Sequence, residues 1–90
     1  MRREYRSKAR IMADIIESVM TGGGGRPSKI MLDANLSYER MSKYLSVLTE
    51  KGLLELTGSG GLYVATPKGV EFLEEFKKFE RLAKTFGLEL

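Results

Sequence analysis

The sequence predicts an α+β chain that is mainly α, built as three helices, a short β-hairpin and a long final helix. Three observations predict it. Apolar residues recur at spacings of three and four through residues 3–20, 38–51 and 67–90, the period of an amphipathic helix. Two short apolar runs, Leu53–Thr57 and Leu62–Ala65, flank Gly58-Ser59-Gly60-Gly61 and read as strands joined by a tight turn. Helix-start signals stand at Pro27, at Ser37 and at Thr66-Pro67.

The first helix is expected from about Arg3 to Met20, with Tyr5, Ala9, Met12, Ile15, Ile16 and Val19 as its buried stripe. Arg3, Arg6 and Arg10 then share the opposite face. Gly22 to Gly25 end this helix, because glycine loses the most conformational freedom when fixed, and they read as a flexible linker. A short second helix follows from Pro27, burying Ile30, Met31 and Leu32. Asp33-Ala34-Asn35-Leu36 breaks the pattern as a turn.

Ser37 caps a third helix, Tyr38 to about Lys51, whose inward stripe is Met41, Tyr44, Leu45 and Leu48. Gly52 stops it. After the hairpin, Thr66 caps and Pro67 opens the last helix, which runs at least to Phe86. Phe72, Phe76, Phe79, Ala83, Phe86 and Leu90 alternate spacings of four and three, the seam of a coiled coil about three heptads long. Helix, turn, helix and β-hairpin in this order make the winged helix-turn-helix plan. Residues 1–66 form the winged unit and residues 67–90 the dimerisation helix.

Composition removes whole classes of function. There is no cysteine and no histidine, so thiolate chemistry, the commonest metal ligand and the commonest neutral-pH general base are absent together. Carboxylates lie on solvated faces or opposite lysines, with no catalytic pair, so the expectation is a non-enzyme without cofactor or metal. No apolar run approaches the roughly 20 residues that span a bilayer, and the basic N-terminus lacks the apolar stretch of a signal peptide, so a cytoplasmic place is expected. A chain this short buries only roughly 60–65% of its unfolded surface, which makes dimerisation an aid to stability. The net charge is +3, unevenly placed. Residues 1–10 hold five basic groups against one acidic, while the remainder holds ten basic and eleven acidic. Such asymmetry points to a polyanionic partner.

Several stretches resemble known regulators. Leu45-Ser46-Val47-Leu48-Thr49-Glu50-Lys51-Gly52-Leu53-Leu54-Glu55 resembles the passage from recognition helix to wing in winged-helix transcription regulators. Tyr63-Val64-Ala65-Thr66-Pro67-Lys68-Gly69 resembles their junction between wing and final helix. Ile30 to Tyr44, centred on Asn35-Leu36-Ser37-Tyr38, resembles the helix-turn-helix of the small archaeal winged-helix proteins, which dimerise through an antiparallel coiled coil of their C-terminal helices. The resemblance runs from about Arg6 to Leu90. It implies double-stranded DNA binding by a homodimer, as a transcription regulator or chromatin-type protein. It implies a recognition helix over Ser37–Lys51, a wing over Leu53–Ala65 and a dimer helix over Pro67–Leu90. One departure stands out: the wing tip, Thr57 to Gly61, carries no arginine or lysine for the DNA backbone.

The candidate DNA contacts on the third helix are Ser37, Tyr38, Arg40, Ser42, Lys43 and Ser46, with Arg40 and Lys43 able to reach guanine edges or phosphates. Glu39 is awkward there and is expected to pair with Lys43 at i,i+4. Arg3, Arg6 and Arg10 are expected to track phosphates by their planar forks, with Asp14 competing for Arg10. Arg26 and Lys29 open the second helix, where its dipole also favours an anion. Gly22 to Gly25 fail as a phosphate loop, since Arg-Pro-Ser rather than Gly-Lys-Ser/Thr follows them. Phe72, Phe76, Phe79, Leu82, Ala83, Phe86 and Leu90 are the candidate dimer interface, because Phe76 and the apolar residues beyond it outreach what the domain can cover. The alternative reading is a winged-helix protein-interaction module, favoured by the bare wing. A ligand-sensing regulator is a third.

Overall fold

The computed structural model describes residues 6–58 and 60–88. Arg3, Tyr5, Ser59 and Leu90, named above, lie outside the described residues. The first helix, α1 (Lys8–Met20), carries the packing of the second and fourth helices and of the second strand. Ser7 caps it by accepting a hydrogen bond from the Arg10 amide at 3.1 Å. This cap corrects the expected start at Arg3 and leaves Arg6 before the helix.

α1 buries Ile11, Ala13, Ile15, Ile16, Ser18 and Val19, more than one stripe can hold. The reason is that α2 (Pro27–Ala34) packs on one side of it, and α4 (Pro67–Thr85) and the second strand on others. Ala9, expected in the stripe, is exposed. Burying each isoleucine contributes about 1.5–3 kcal/mol.

In α2, Ile30 and Ala34 are buried and Met31 lies at the edge of the core. Leu32 corrects the expectation, being 80% exposed. It stands two residues from Ile30, which on a helix is the far side. Asn35 then adopts φ +53°, and the Leu36 amide donates to the Met31 carbonyl at 3.1 Å. This is a Schellman closure, with asparagine in the left-handed position that glycine usually takes. Leu36 is thereby buried rather than solvated in the turn. Ser37 caps α3 (Tyr38–Glu50) as expected, and Gly52, at φ +78°, closes its far end by the same device.

Strands β1 (Leu54–Leu56) and β2 (Tyr63–Ala65) pair antiparallel, Leu54 opposite Ala65 and Leu56 opposite Tyr63. The glycine run does more than link. Gly25 is buried and bridges to Tyr63, whose amide donates to the Gly25 carbonyl at 3.0 Å. A Cβ at Gly25 would overlap the Tyr63 carbonyl. The fourth glycine is therefore fixed by close backbone approach, a correction to the flexible linker. Thr66 caps α4, whose Leu73 belongs to the same core as Ile11, Ile30, Met41 and Leu48.

Candidate nucleic-acid interface

α3 places its exposed side chains by its phase. Met41, Leu45 and Leu48 are buried, so the surface divides into two rows. Tyr38, Ser42 and Ser46 follow one another at four-residue steps and are all exposed, Tyr38 by 68%. The second row is cationic. Arg40, Lys43, Tyr44, Val47 and Lys51 line a groove of about 580 Å³ whose other wall is Lys8 and Met12 of α1. Four cations meet there, and among the described residues no carboxylate lines it. Among the described residues, no ion pair engages Lys8, Lys43 or Lys51. The expected pair of Glu39 with Lys43 is thus not formed. Glu39 sits instead in the first turn of α3, where the helix dipole favours it.

The sequence reading missed Lys8 and Lys51. The signal for Lys51 was present in the i, i+3, i+4, i+7, i+11 row that begins at Arg40, whereas only the placement of α1 brings Lys8 to it.

The arginines go elsewhere. Arg6 Nη1 donates to Asp14 Oδ2 at 2.9 Å and to the Ala34 carbonyl at 2.7 Å, and Nη2 donates to the Asn35 carbonyl at 3.2 Å. Its guanidinium thus closes the C-terminus of α2 and pins the turn into α3. Arg10 pairs with Glu80 of α4, not with Asp14, and its guanidinium stands 5.5 Å from the centroid of the Phe76 ring. Both described members of the expected arginine stripe therefore serve the fold.

Lys29 is drawn inward too. Its Nζ donates to the Ser18 carbonyl at 2.6 Å, to Asp33 Oδ2 at 2.8 Å and to Thr21 Oγ1 at 3.0 Å. These contacts take the three donors of an ammonium. Lys29, and after it the Ser18 hydroxyl, hold the Asp33 carboxyl below the usual carboxylate range. Arg26 is exposed at the N-cap of α2 and makes no side-chain cap bond. The Ser37 oxygen already accepts from the Arg40 amide, leaving its O–H as the group available to a phosphate.

On the wing Leu56, Leu62 and Val64 are exposed by 49%, 37% and 40%, and Glu55, opposite Val64, is exposed beside them. Thr57 closes its base, amide and hydroxyl both donating to the Leu62 carbonyl. On α4, Phe72 and Phe76 pack against the domain's own core, stacked with centroids 6.3 Å apart. Phe76 thus lies within reach of the domain, against expectation, and Ala83 is buried. Phe79, Leu82 and Phe86 remain exposed by 56%, 54% and 71%. No helix among the described residues is long and apolar enough to cross a membrane.

No curated protein matches the sequence. The fold is similar to that of Sso10a-2, a DNA-binding protein from Sulfolobus solfataricus, with a TM-score of 0.77 and 22% identity over 90% of this chain and 85% of that one. It is also similar to the transcriptional regulator Tm0710 from Thermotoga maritima, with a TM-score of 0.64 and 20% identity over 86% of this chain and 61% of that one. The winged helix-turn-helix family model matches residues 5–84. With that match, and with α1 to α3, the two-stranded wing and α4 in the order the plan requires, this chain belongs to the winged helix-turn-helix family.

Proposed function

We propose that the protein binds double-stranded DNA as a homodimer, acting as a transcription regulator or chromatin-type protein rather than as an enzyme. One observation carries the reading: Lys8, Arg40, Lys43 and Lys51 converge on one side of α3 with no acidic residue among them in the described chain. In this reading α3 enters the major groove. Tyr38, Ser42 and Ser46 face base edges or phosphates, and the cationic row follows the backbone. Arg26 adds an exposed charge at the start of α2. The similarity to a DNA-binding protein and to a transcriptional regulator supports the same partner.

Phe79 and Leu82 supply the dimer contact, with Phe86 at the C-cap of α4, where Gly87 at φ +74° ends the helix short of the expected Leu90. An exposed apolar row of this length is covered in a soluble protein by a partner helix. Replacing Phe79 with lysine is expected to give a monomeric mass by light scattering. A dimeric mass for that variant would remove α4 from the interface.

Titration of duplex DNA across a salt series tests the main reading. Affinity should fall log-linearly with salt, with a slope of roughly 0.9 for each phosphate neutralised. An affinity that ignores salt, or no binding at low salt, overturns it. The wing, without a lysine or arginine and with Leu56, Leu62 and Val64 exposed, favours a second reading, a protein-interaction module, in the latter case.

A further inference from the structure

We propose that the groove between α1 and α3 is also a receptor for a small anionic amphiphile, whose binding competes with DNA for the same cations. The ligand class is a carboxylate or phosphate head joined to an aromatic or aliphatic body.

The groove has two chemically distinct parts. Its rim is Lys8, Arg40, Lys43 and Lys51, and its floor is Met12, the Tyr44 ring and Val47. A phosphodiester backbone requires only the rim. The apolar floor is what a hydrocarbon or aromatic body requires. Met12 and Tyr44 are themselves packed against the core, so the floor is held in place by the fold. A volume of about 580 Å³ suits a small molecule, since such sites span roughly 300–1,000 Å³.

The molecule also holds an internal contrast. A second cleft, lined by Asp14, Glu17, Ser18, Thr21 and Asp33, carries the opposite charge and would repel the same head group. A ligand seated between the lysines neutralises charges that the DNA reading assigns to phosphates. Ligand binding itself does not rest on that reading; the competition does.

The test titrates the full chain with anilinonaphthalene sulfonate, an anionic aromatic probe, and with uncharged phenylnaphthylamine as its control. Saturable fluorescence is expected for the anion, with affinity about tenfold weaker (1.4 kcal/mol) in Lys43→Gln/Lys51→Gln and unchanged in Phe79→Lys. The Met12 and Val47 methyl resonances should shift on binding. A signal lost in Phe79→Lys but kept in the lysine variant places the probe on α4 and overturns the site. Equal binding of the uncharged dye, or no saturable signal, overturns it as well. Saturating probe should then weaken duplex binding about tenfold. Unchanged duplex affinity overturns the competition while the receptor stands. Absence of duplex binding refutes the DNA reading and the competition with it, and the titration still decides the groove.

Discussion

Arg6, just before α1, and Arg10, in its first turn, are turned into the molecule, whereas Lys8 between them faces the groove with Lys43 and Lys51. The difference follows from what each side chain offers. A guanidinium is a planar fork that satisfies two acceptors at once, and Arg6 finds two backbone carbonyls at the end of α2. Arg10 finds a carboxylate and a ring face on α4. A lysine carries a compact charge on a flexible stem, which suits a solvated partner that is not always present. Neighbouring cations in one basic run thus divide between holding the reading unit together and facing outward from it.

The largest break in this comparison would come from Arg6. Arg6→Ala removes three hydrogen bonds from a charged donor and strands two carbonyls, so unfolding free energy should fall by about 2–3 kcal/mol in a denaturant titration. A variant of unchanged stability with weakened DNA affinity would make Arg6 a phosphate contact and erase the distinction. The groove lysines should behave in the opposite way. Lys43→Gln/Lys51→Gln should leave stability within about 0.5 kcal/mol of the parent, since among the described residues neither ammonium has a carboxylate partner. Its salt slope for duplex binding should drop by about two. An unchanged slope would separate these lysines from the backbone.

The part of this architecture written in local chemistry was legible in the sequence. Ser37, Thr66-Pro67, Pro27 and Gly52 each act on residues within one turn, so the starts of α2, α3 and α4 and the end of α3 could be read directly. What failed was set by packing between distant elements. Periodicity assigns α1 one buried stripe, yet α1 is enclosed on several sides, which buries Ile11 and Ala13 and frees Ala9. A run of four glycines looks like slack chain until Gly25 meets Tyr63, nearly forty residues on. Heptad spacing continues through Phe72 and Phe76 into Phe79, but only the packing of α4 on α1 decides where the domain's own core stops covering it. The basic run at the N-terminus announced a polyanionic partner, whereas the side chains that converge on α3 include Lys8 and Lys51, joined only by the tertiary fold.

Lys29 sharpens the comparison, because it is a lysine that behaves like the arginines, and its effect is the smallest and the most conditional. The Asp33 carboxylate it holds has a depressed proton affinity in the folded chain. A depressed carboxylate contributes stability that is fully present above its unfolded pKa, about 3.9, and is lost as pH falls through the lower folded value. Lys29→Met removes the main cause of that depression. The variant should therefore be less stable than the parent at neutral pH, and the gap should narrow as pH is lowered past about 4 in a series of denaturant titrations. Because Asp33 stands partly in water, added salt should shrink the neutral-pH gap as well. A gap that keeps its size at all pH values would mean that Lys29 acts through its bonds to the Ser18 carbonyl and Thr21 alone. It would then be a cap on the end of α1, with the charge of Asp33 immaterial to it.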